Sequence, residues 1–317
     1  MLYRLPSFLK GGVSLVLFSL NTVFWVLLFI PIILIKIIIP HSGIRHQCSQ
    51  LLIFFAARWV DCNSFILRIT QNIEWDVQGI GYLDPKGSYL VVSNHCSWAD
   101  TLVLQHIFKR RIPFLKFFLK QELIWIPFLG IAWWALEFPF MKRYSRQFLE
   151  KHPELRGKDM ETTRKFCEKL KKYPGSIMNY VEGTRFDFQK RQKQNAPYRH
   201  LLMPKAGGVA LVFSAMGDCL SSVLDVTIVY PENEPPVRFW ALLKGNIPRI
   251  IVRVTILPVP ENVVGKDYQN DKAYRKKIQQ WVNQLWQEKD QRIERIMKAY
   301  HLNSAIVEDA GNTRHQV

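Results

Sequence analysis

The apolar positions of this chain change their rhythm along its length. From Val13 to Ile35 there is no charge and nearly every side chain is apolar, interrupted only by Ser14, Ser19, Asn21, Thr22 and Pro31. A helix of that length reaches roughly 35 Å, enough to cross the hydrocarbon core of a bilayer. It is too long for a signal-peptide core and no small-residue cleavage site follows, so the segment is expected to be retained. Pro31 and Pro40 surround the cluster Ile32 to Ile39, with Lys36 inside it, and predict a kink or re-entrant turn as an alternative to one straight span. Residues 46 to 72 then read as an amphipathic helix leading away.

Beyond it the pattern shortens. Gly79, Gly81, Asp84-Pro85 and Lys86-Gly87 mark turns that frame strands near Ile73 to Val77 and Tyr89 to Val92. Thr101 to Phe108 reads as the apolar face of a helix, and Phe114 to Trp134 is apolar and aromatic. Gln147 to Lys172 predicts a charged helix that ends before Pro174-Gly175. Ser176 to Val181, Asp225 to Tyr230 and Ile250 to Leu257 read as strands, the last two closed by Pro231 and Pro258. Tyr268 to Tyr300 is helical in rhythm, and the tail from Asn303 is expected to be disordered. Interleaved strands and helices make the class α/β. The expected divisions are an anchor over 1–45, a linker helix over 46–72, a central domain over 73–260, a helical extension over 261–302 and a tail over 303–317.

Charge sharpens this picture. The formal net charge is +17, which implies an anionic partner. Through residue 60 there are five basic residues (Arg4, Lys10, Lys36, Arg45, Arg58) and no acidic one, a pattern favoured on the cytoplasmic side and by anionic membrane lipids. Basic clusters are otherwise dispersed, which argues against nucleic acid as the partner. Five scattered cysteines show neither metal spacing nor a paired framework and fit a reducing compartment. No metal site is expected.

The chemistry concentrates in Ser93-Asn94-His95-Cys96-Ser97-Trp98-Ala99-Asp100. On one continuous helix His95 and Asp100 would point roughly 140° apart, so they meet only if the chain turns between them at a strand-turn-helix tip. There the carboxylate fixes the imidazole tautomer and the imidazole accepts a hydroxyl proton. A solvated histidine beside a helix-capping aspartate is the plainer alternative. A second tip, Glu182-Gly183-Thr184-Arg185, offers a tight turn, a hydroxyl and a guanidinium that Glu182 could hold in place. By itself it also fits an ordinary turn with a surface ion pair. Phe140-Met141-Lys142-Arg143 ends another apolar run in cations.

In order and spacing these blocks resemble the glycerolipid acyltransferase family, in its 1-acylglycerol-3-phosphate acyltransferase branch. Asn94-His95-x4-Asp100, Phe140-Met-x-Arg143, Glu182-Gly-Thr-Arg185 and Asp225 to Pro231 are similar to its four blocks, and Lys120-Gln-Glu-Leu123 to the segment between the first two. Val181 stands where many members have proline, a variant shared with this branch. The resemblance implies a mostly parallel sheet flanked by helices, with an N-terminal membrane-anchoring helix or helical hairpin. It implies His95 as base, Asp100 as its orienter, and Arg143, Glu182, Gly183, Thr184 and Arg185 at the acceptor phosphate. Asn94 or Lys120 would be support or an oxyanion donor. The implied activity is acyl transfer from acyl-CoA or acyl-carrier protein, with no cofactor, to the hydroxyl of lysophosphatidic acid. Another lysophospholipid or glycerol 3-phosphate is the alternative acceptor, and a catalytically silent membrane scaffold the alternative class. The expected location is a membrane, the inner one if bacterial, with the catalytic domain facing the cytoplasm.

Overall fold

A computed structural model describes residues 2–142, 161, 165–168, 170, 175–266, 268 and 271–313. Most of the helix expected over Gln147 to Lys172 lies outside them. Two long helices open the chain, α1 (Ser7–Ile38) and α2 (Ser42–Thr70), packed against each other as a hairpin. Both are long and apolar enough to cross a membrane, by length and composition alone. The reversal comes at Ile39-Pro40-His41, whereas α1 continues unbroken through Pro31, with Phe29, Ile32 and Ile33 buried on either side of it. The boundary expected near residue 45 therefore falls inside α2: Pro40, not the change in amphipathicity, ends the first helix.

The hairpin is fastened to the rest of the molecule at both ends. At its base, Gln71 Nε2 donates to Ser14 Oγ (3.0 Å) and to Leu243 O (3.2 Å) in the short helix α7 (Phe239–Lys244). At its tip Lys36 Nζ pairs with Glu137 Oε1 at 2.7 Å. Midway, Asn21 Nδ2 donates to Asn63 Oδ1 across the hairpin (2.8 Å).

The remaining elements are β1 (Glu74–Gln78), β2 (Tyr89–Ser93), α3 (Ala99–Phe108), β3 (Leu115–Phe117), β4 (Leu119–Lys120), α4 (Leu129–Ala135), β5 (Phe140–Met141), β6 (Ser176–Tyr180), α5 (Phe188–Lys193), α6 (Gly207–Met216), β7 (Ser222–Val229), β8 (Arg249–Leu257) and α8 (Lys272–Thr313). Six strands form one sheet in the order β1-β8-β7-β2-β6-β3, with only the β7–β8 pairing antiparallel; β4 and β5 make a separate parallel pair. A parallel strand covered on both faces must be apolar throughout, and every residue of β2 is buried. Its side chains alternate between two cores: Tyr89 and Val91 pack toward α1 to α4, Leu90 and Val92 toward α6 and α8. The backbone of α8 stays helical to Thr313, past Asn303 where disorder was expected.

Register places the motifs. Ser93, the last residue of β2, lies beside Tyr180 of β6 and Val226 of β7, and all three strands run the same way. The loops carrying Asn94 to Asp100, Val181 to Phe186 and Tyr230 thus leave one edge of the sheet, the edge where open α/β sheets place their ligands.

Candidate active site

At that edge the chain turns sharply after β2 and enters α3, and Asp100 falls in the first turn of this helix. His95 Nδ1 and Asp100 Oδ2 stand 2.8 Å apart. The same Oδ2 accepts from the backbone N–H of Cys96 (2.7 Å) and Ser97 (2.9 Å), and Oδ1 accepts from the Tyr230 hydroxyl (2.7 Å). Asp100 is wholly buried, so these donors replace the water an ionised carboxylate would otherwise need. With Nδ1–H directed at Asp100, Nε2 carries the free lone pair. The Tyr180 ring lies against the imidazole at 3.9 Å between centroids and 13° between planes, which fixes its plane.

Neighbouring groups are held just as firmly. Asn94 Nδ2 donates to Ile228 O and accepts at Oδ1 from Ile228 N–H, both at 2.9 Å. Its amide is thereby occupied in stitching the turn that carries His95 to β7. Burial, then the charge of Asp100, push the Cys96 thiol well above the ordinary range. Burial and Asp100 likewise raise the Tyr230 phenol, which remains a donor.

The second tip closes on the first. Phe186 N–H donates to His95 O at 2.7 Å, and Gly183, at φ +69°, makes the left-handed turn that lets the chain return. Arg185 is exposed and lies over the indole of Trp98, 5.4 Å from the ring centroid. Lys190 Nζ donates to Thr184 Oγ1 and to Arg185 O, each at 3.1 Å. Lys205 N–H donates to Val181 O (2.9 Å), and its side chain runs beside Gly183.

Two expectations change. Glu182 does not hold Arg185; its side chain is fully buried and faces inward, toward Leu202, Trp286 and Lys289. A fully buried carboxyl offers no surface atom to a phosphate arriving at the tip. Lys120 is exposed, in register with Met141 at the β4–β5 pair, and takes no part in the hydrogen bonds that fix His95 and Asp100. Arg143 lies outside the described residues. Tyr180, Tyr230, Lys190 and Lys205 were not anticipated. The first two end or follow strands next to motifs, a usable signal; nothing in sequence distinguishes the two lysines from the other cations.

The segment Phe114 to Trp134 divides in two. Phe117 stacks toward Tyr180 (6.2 Å) and Phe138 (6.3 Å), and Phe114 meets Phe138 edge-on, an aromatic row leading from the imidazole into the core under the hairpin. Trp125, Phe128, Ile131 and Trp134 are instead exposed.

Residues 74–231 match the family model described as Acyltransferase. The chain is 26% identical over 238 residues to rat 1-acyl-sn-glycerol-3-phosphate acyltransferase delta (66% of this chain, 55% of that protein). To zebrafish lysocardiolipin acyltransferase 1 it is 24% identical over 259 residues (76% and 60%). It thus spans little more than half the length of these curated relatives. The fold is similar to the crystal structure of the 1-acyl-sn-glycerophosphate acyltransferase PlsC from Thermotoga maritima, with a TM-score of 0.53 at 14% identity, covering 92% of this chain and 97% of that one. By that family match, residues 74–231 are an acyltransferase domain.

Proposed function

We propose that the protein is a membrane-associated O-acyltransferase that moves a fatty acyl group from a thioester donor, acyl-CoA or acyl-carrier protein, to the free hydroxyl of lysophosphatidic acid. The observation that carries this reading is the His95–Asp100 pair, its carboxylate locked by three further donors and its Nε2 left as the base. The relatives, a 1-acyl-sn-glycerol-3-phosphate acyltransferase and a lysocardiolipin acyltransferase, favour a lysophospholipid as acceptor.

The chemistry follows from the ring. Nε2 takes the proton of the acceptor hydroxyl as its oxygen attacks the thioester carbonyl. The imidazolium formed is stabilised by Asp100. When the carbon–sulfur bond breaks, the same proton passes to the departing thiolate, and the base is restored. Arg185 and Thr184 on the Gly183 turn, with Arg143, serve as the clamp on the acceptor's phosphate, for which planar guanidiniums suit the dianion. The exposed apolar face of α1, from Phe8 through Leu20 and Leu27 to Ile38, lies in lipid and brings the site to a membrane.

Zebrafish lysocardiolipin acyltransferase 1 among the relatives keeps a second acceptor in play, a larger lysophospholipid. The test is the full chain in detergent, offered a panel of lysophospholipids and glycerol 3-phosphate with acyl-CoA and acyl-carrier protein donors, with products identified by mass spectrometry. Highest kcat/KM on lysophosphatidic acid is the expected result. Preference for another lysolipid moves the acceptor assignment, and no transfer to any acceptor withdraws the function.

A further inference from the structure

At the end of α3 remote from Asp100, the last turn of α2, the start of β1 and the turn after α3 surround a cavity of about 610 Å³. Ligand sites span about 300–1,000 Å³. None of its lining residues belongs to the catalytic loops, and about 14 Å of helix separates Lys109 from Asp100. Three cations line it: Arg68 from α2, and Lys109 and Arg110 after α3. The carboxylate in its wall, Asp61, is shared between Arg110 (2.8 Å) and Arg58 (3.1 Å). Arg68 and Lys109 have no ion-pair partner among the described residues. Phe65 and Trp75 supply apolar wall, with the Arg68 guanidinium over the Phe65 ring at 5.4 Å. A cation at a helix C-terminus complements the backbone dipole, which accounts for Arg68 and Lys109 singly. It does not account for two helices delivering theirs to one cavity.

We propose that this cavity is a headgroup site for an anionic phospholipid of the surrounding membrane, separate from the acceptor site. It rests on the membrane association proposed above and not on acyl transfer. The occupant follows from the approach to the cavity. Leu51, Phe54, Arg58, Asp61, Phe65 and Arg68 succeed one another at spacings of three and four along α2, and so share one stripe. Leu51, Phe54 and Phe65 are exposed on it, and Arg58 and Asp61 neutralise each other between them. The stripe is thus apolar along its length and cationic at the cavity, the order of a lipid's tail and head. A guanidinium and an ammonium suit a phosphodiester, and a net charge of +17 draws anionic lipid to the molecule. A lipid held there bridges α2, β1 and α3. Gln71, in the same wall, is the residue that ties the hairpin to Ser14 and Leu243. Occupancy therefore fastens the hairpin to the catalytic domain.

The experiment is native mass spectrometry of the full chain in detergent micelles doped with phosphatidylglycerol or with phosphatidylcholine, counting retained lipid. Wild type is expected to retain one phosphatidylglycerol and to release phosphatidylcholine. Arg68→Ala/Lys109→Ala should weaken that retention at least about tenfold, because charge-assisted contacts to phosphate are lost. Lys272→Ala/Lys276→Ala removes the same charge from exposed positions of α8 and should leave retention within about twofold. Asn72→Trp keeps every charge but sets an indole at the exposed mouth, and should also expel the lipid. It serves if the double cavity variant fails to fold. Equal retention by wild type and the cavity variants overturns the proposal, as does an equal loss in the α8 variant, the mark of diffuse attraction. Displacement of the lipid by millimolar inorganic phosphate or coenzyme A overturns it too, by assigning the cavity to a soluble phosphate. None of these readouts needs turnover, so an inactive chain refutes acyl transfer and leaves the lipid site to its own result.

Discussion

Asp100 accepts four hydrogen bonds, and only one comes from the histidine it serves. The other three make it a fixed post, so removing the imidazole leaves the post standing. His95→Ala is therefore expected to abolish transfer with little change in thermal midpoint, while Asp100→Asn loses orders of magnitude in kcat through a wrong tautomer and a missing counter-charge. Arg185→Ala differs in kind: an exposed cation on a phosphate binds ground and transition states alike, so acceptor KM should rise about ten- to a hundredfold and kcat change little. Steady-state kinetics on the three variants separates the roles, and appreciable turnover by His95→Ala would sink the mechanism. A second histidine reports on folding. His106 stacks on Trp75 at 4.6 Å, and burial, then the charge of Lys109, lower its pKa from 6.5 to about 4. The unfolded chain thus takes up this proton first as pH falls, and stability declines between pH 6.5 and about 4. Discounted for the ring's partial exposure, the loss is on the order of 1 kcal/mol. His106→Phe should flatten that part of a thermal-midpoint profile against pH; an unchanged slope would assign it to other groups.

Among the elements, α7 carries weight beyond its six residues. Its C-cap, Gly245, is left-handed at φ +75°, and a Cβ there would stand 2.5 Å from Lys10 Nζ of α1. Gly245→Ala should combine a left-handed penalty of about 1–2 kcal/mol with displacement of the buried Lys10 side chain. The expected result is a thermal midpoint lower by several degrees and faster proteolysis of α1; a midpoint within one degree, about the scatter of the measurement, would refute the link. At this scale the sequence was informative where one force dominated. The apolar runs at Tyr89, Ser176 and Ile250 predict β2, β6 and β8 to within a residue at most ends, since a strand covered on both faces has few alternatives. His95 and Asp100 were legible because a strand-turn-helix tip is the geometry in which their spacing closes. The direction of Glu182 was not. An exposed side chain paired with Arg185 and one buried beneath the C-terminal helix read identically until α8 is packed against β7. The small β4–β5 pair was hidden too, its residues merged into one aromatic stretch.

Across the whole molecule the attachments of α1 decide its posture. Ser14 is tied through Gln71 to Leu243, and Lys36 is paired with Glu137. Along a helix those positions are roughly 33 Å apart, about the thickness of the hydrocarbon core, yet both bind the same folded domain. A helix crossing the bilayer would leave one attachment on the far side. The hairpin is thus expected to lie along one leaflet, with its Pro40 turn on the side that holds the C-terminus. In a cysteine-free background, His41→Cys and a cysteine replacing Val317 should react with an impermeant maleimide from the same side; labelling from opposite faces would establish a true span.

The uncovered face of α1, continued by Trp125, Phe128, Ile131 and Trp134, has a kinetic corollary. An acceptor reaching a site beside such a face arrives by lateral diffusion, so the concentration the enzyme senses is a mole fraction in a plane, not a molarity in a volume. Diluting lysophosphatidic acid with an inert lipid or detergent, at constant bulk amounts of enzyme and acceptor, should lower the rate along a saturation curve in mole fraction. A rate that follows bulk concentration and ignores surface dilution would mean that the acceptor enters from water.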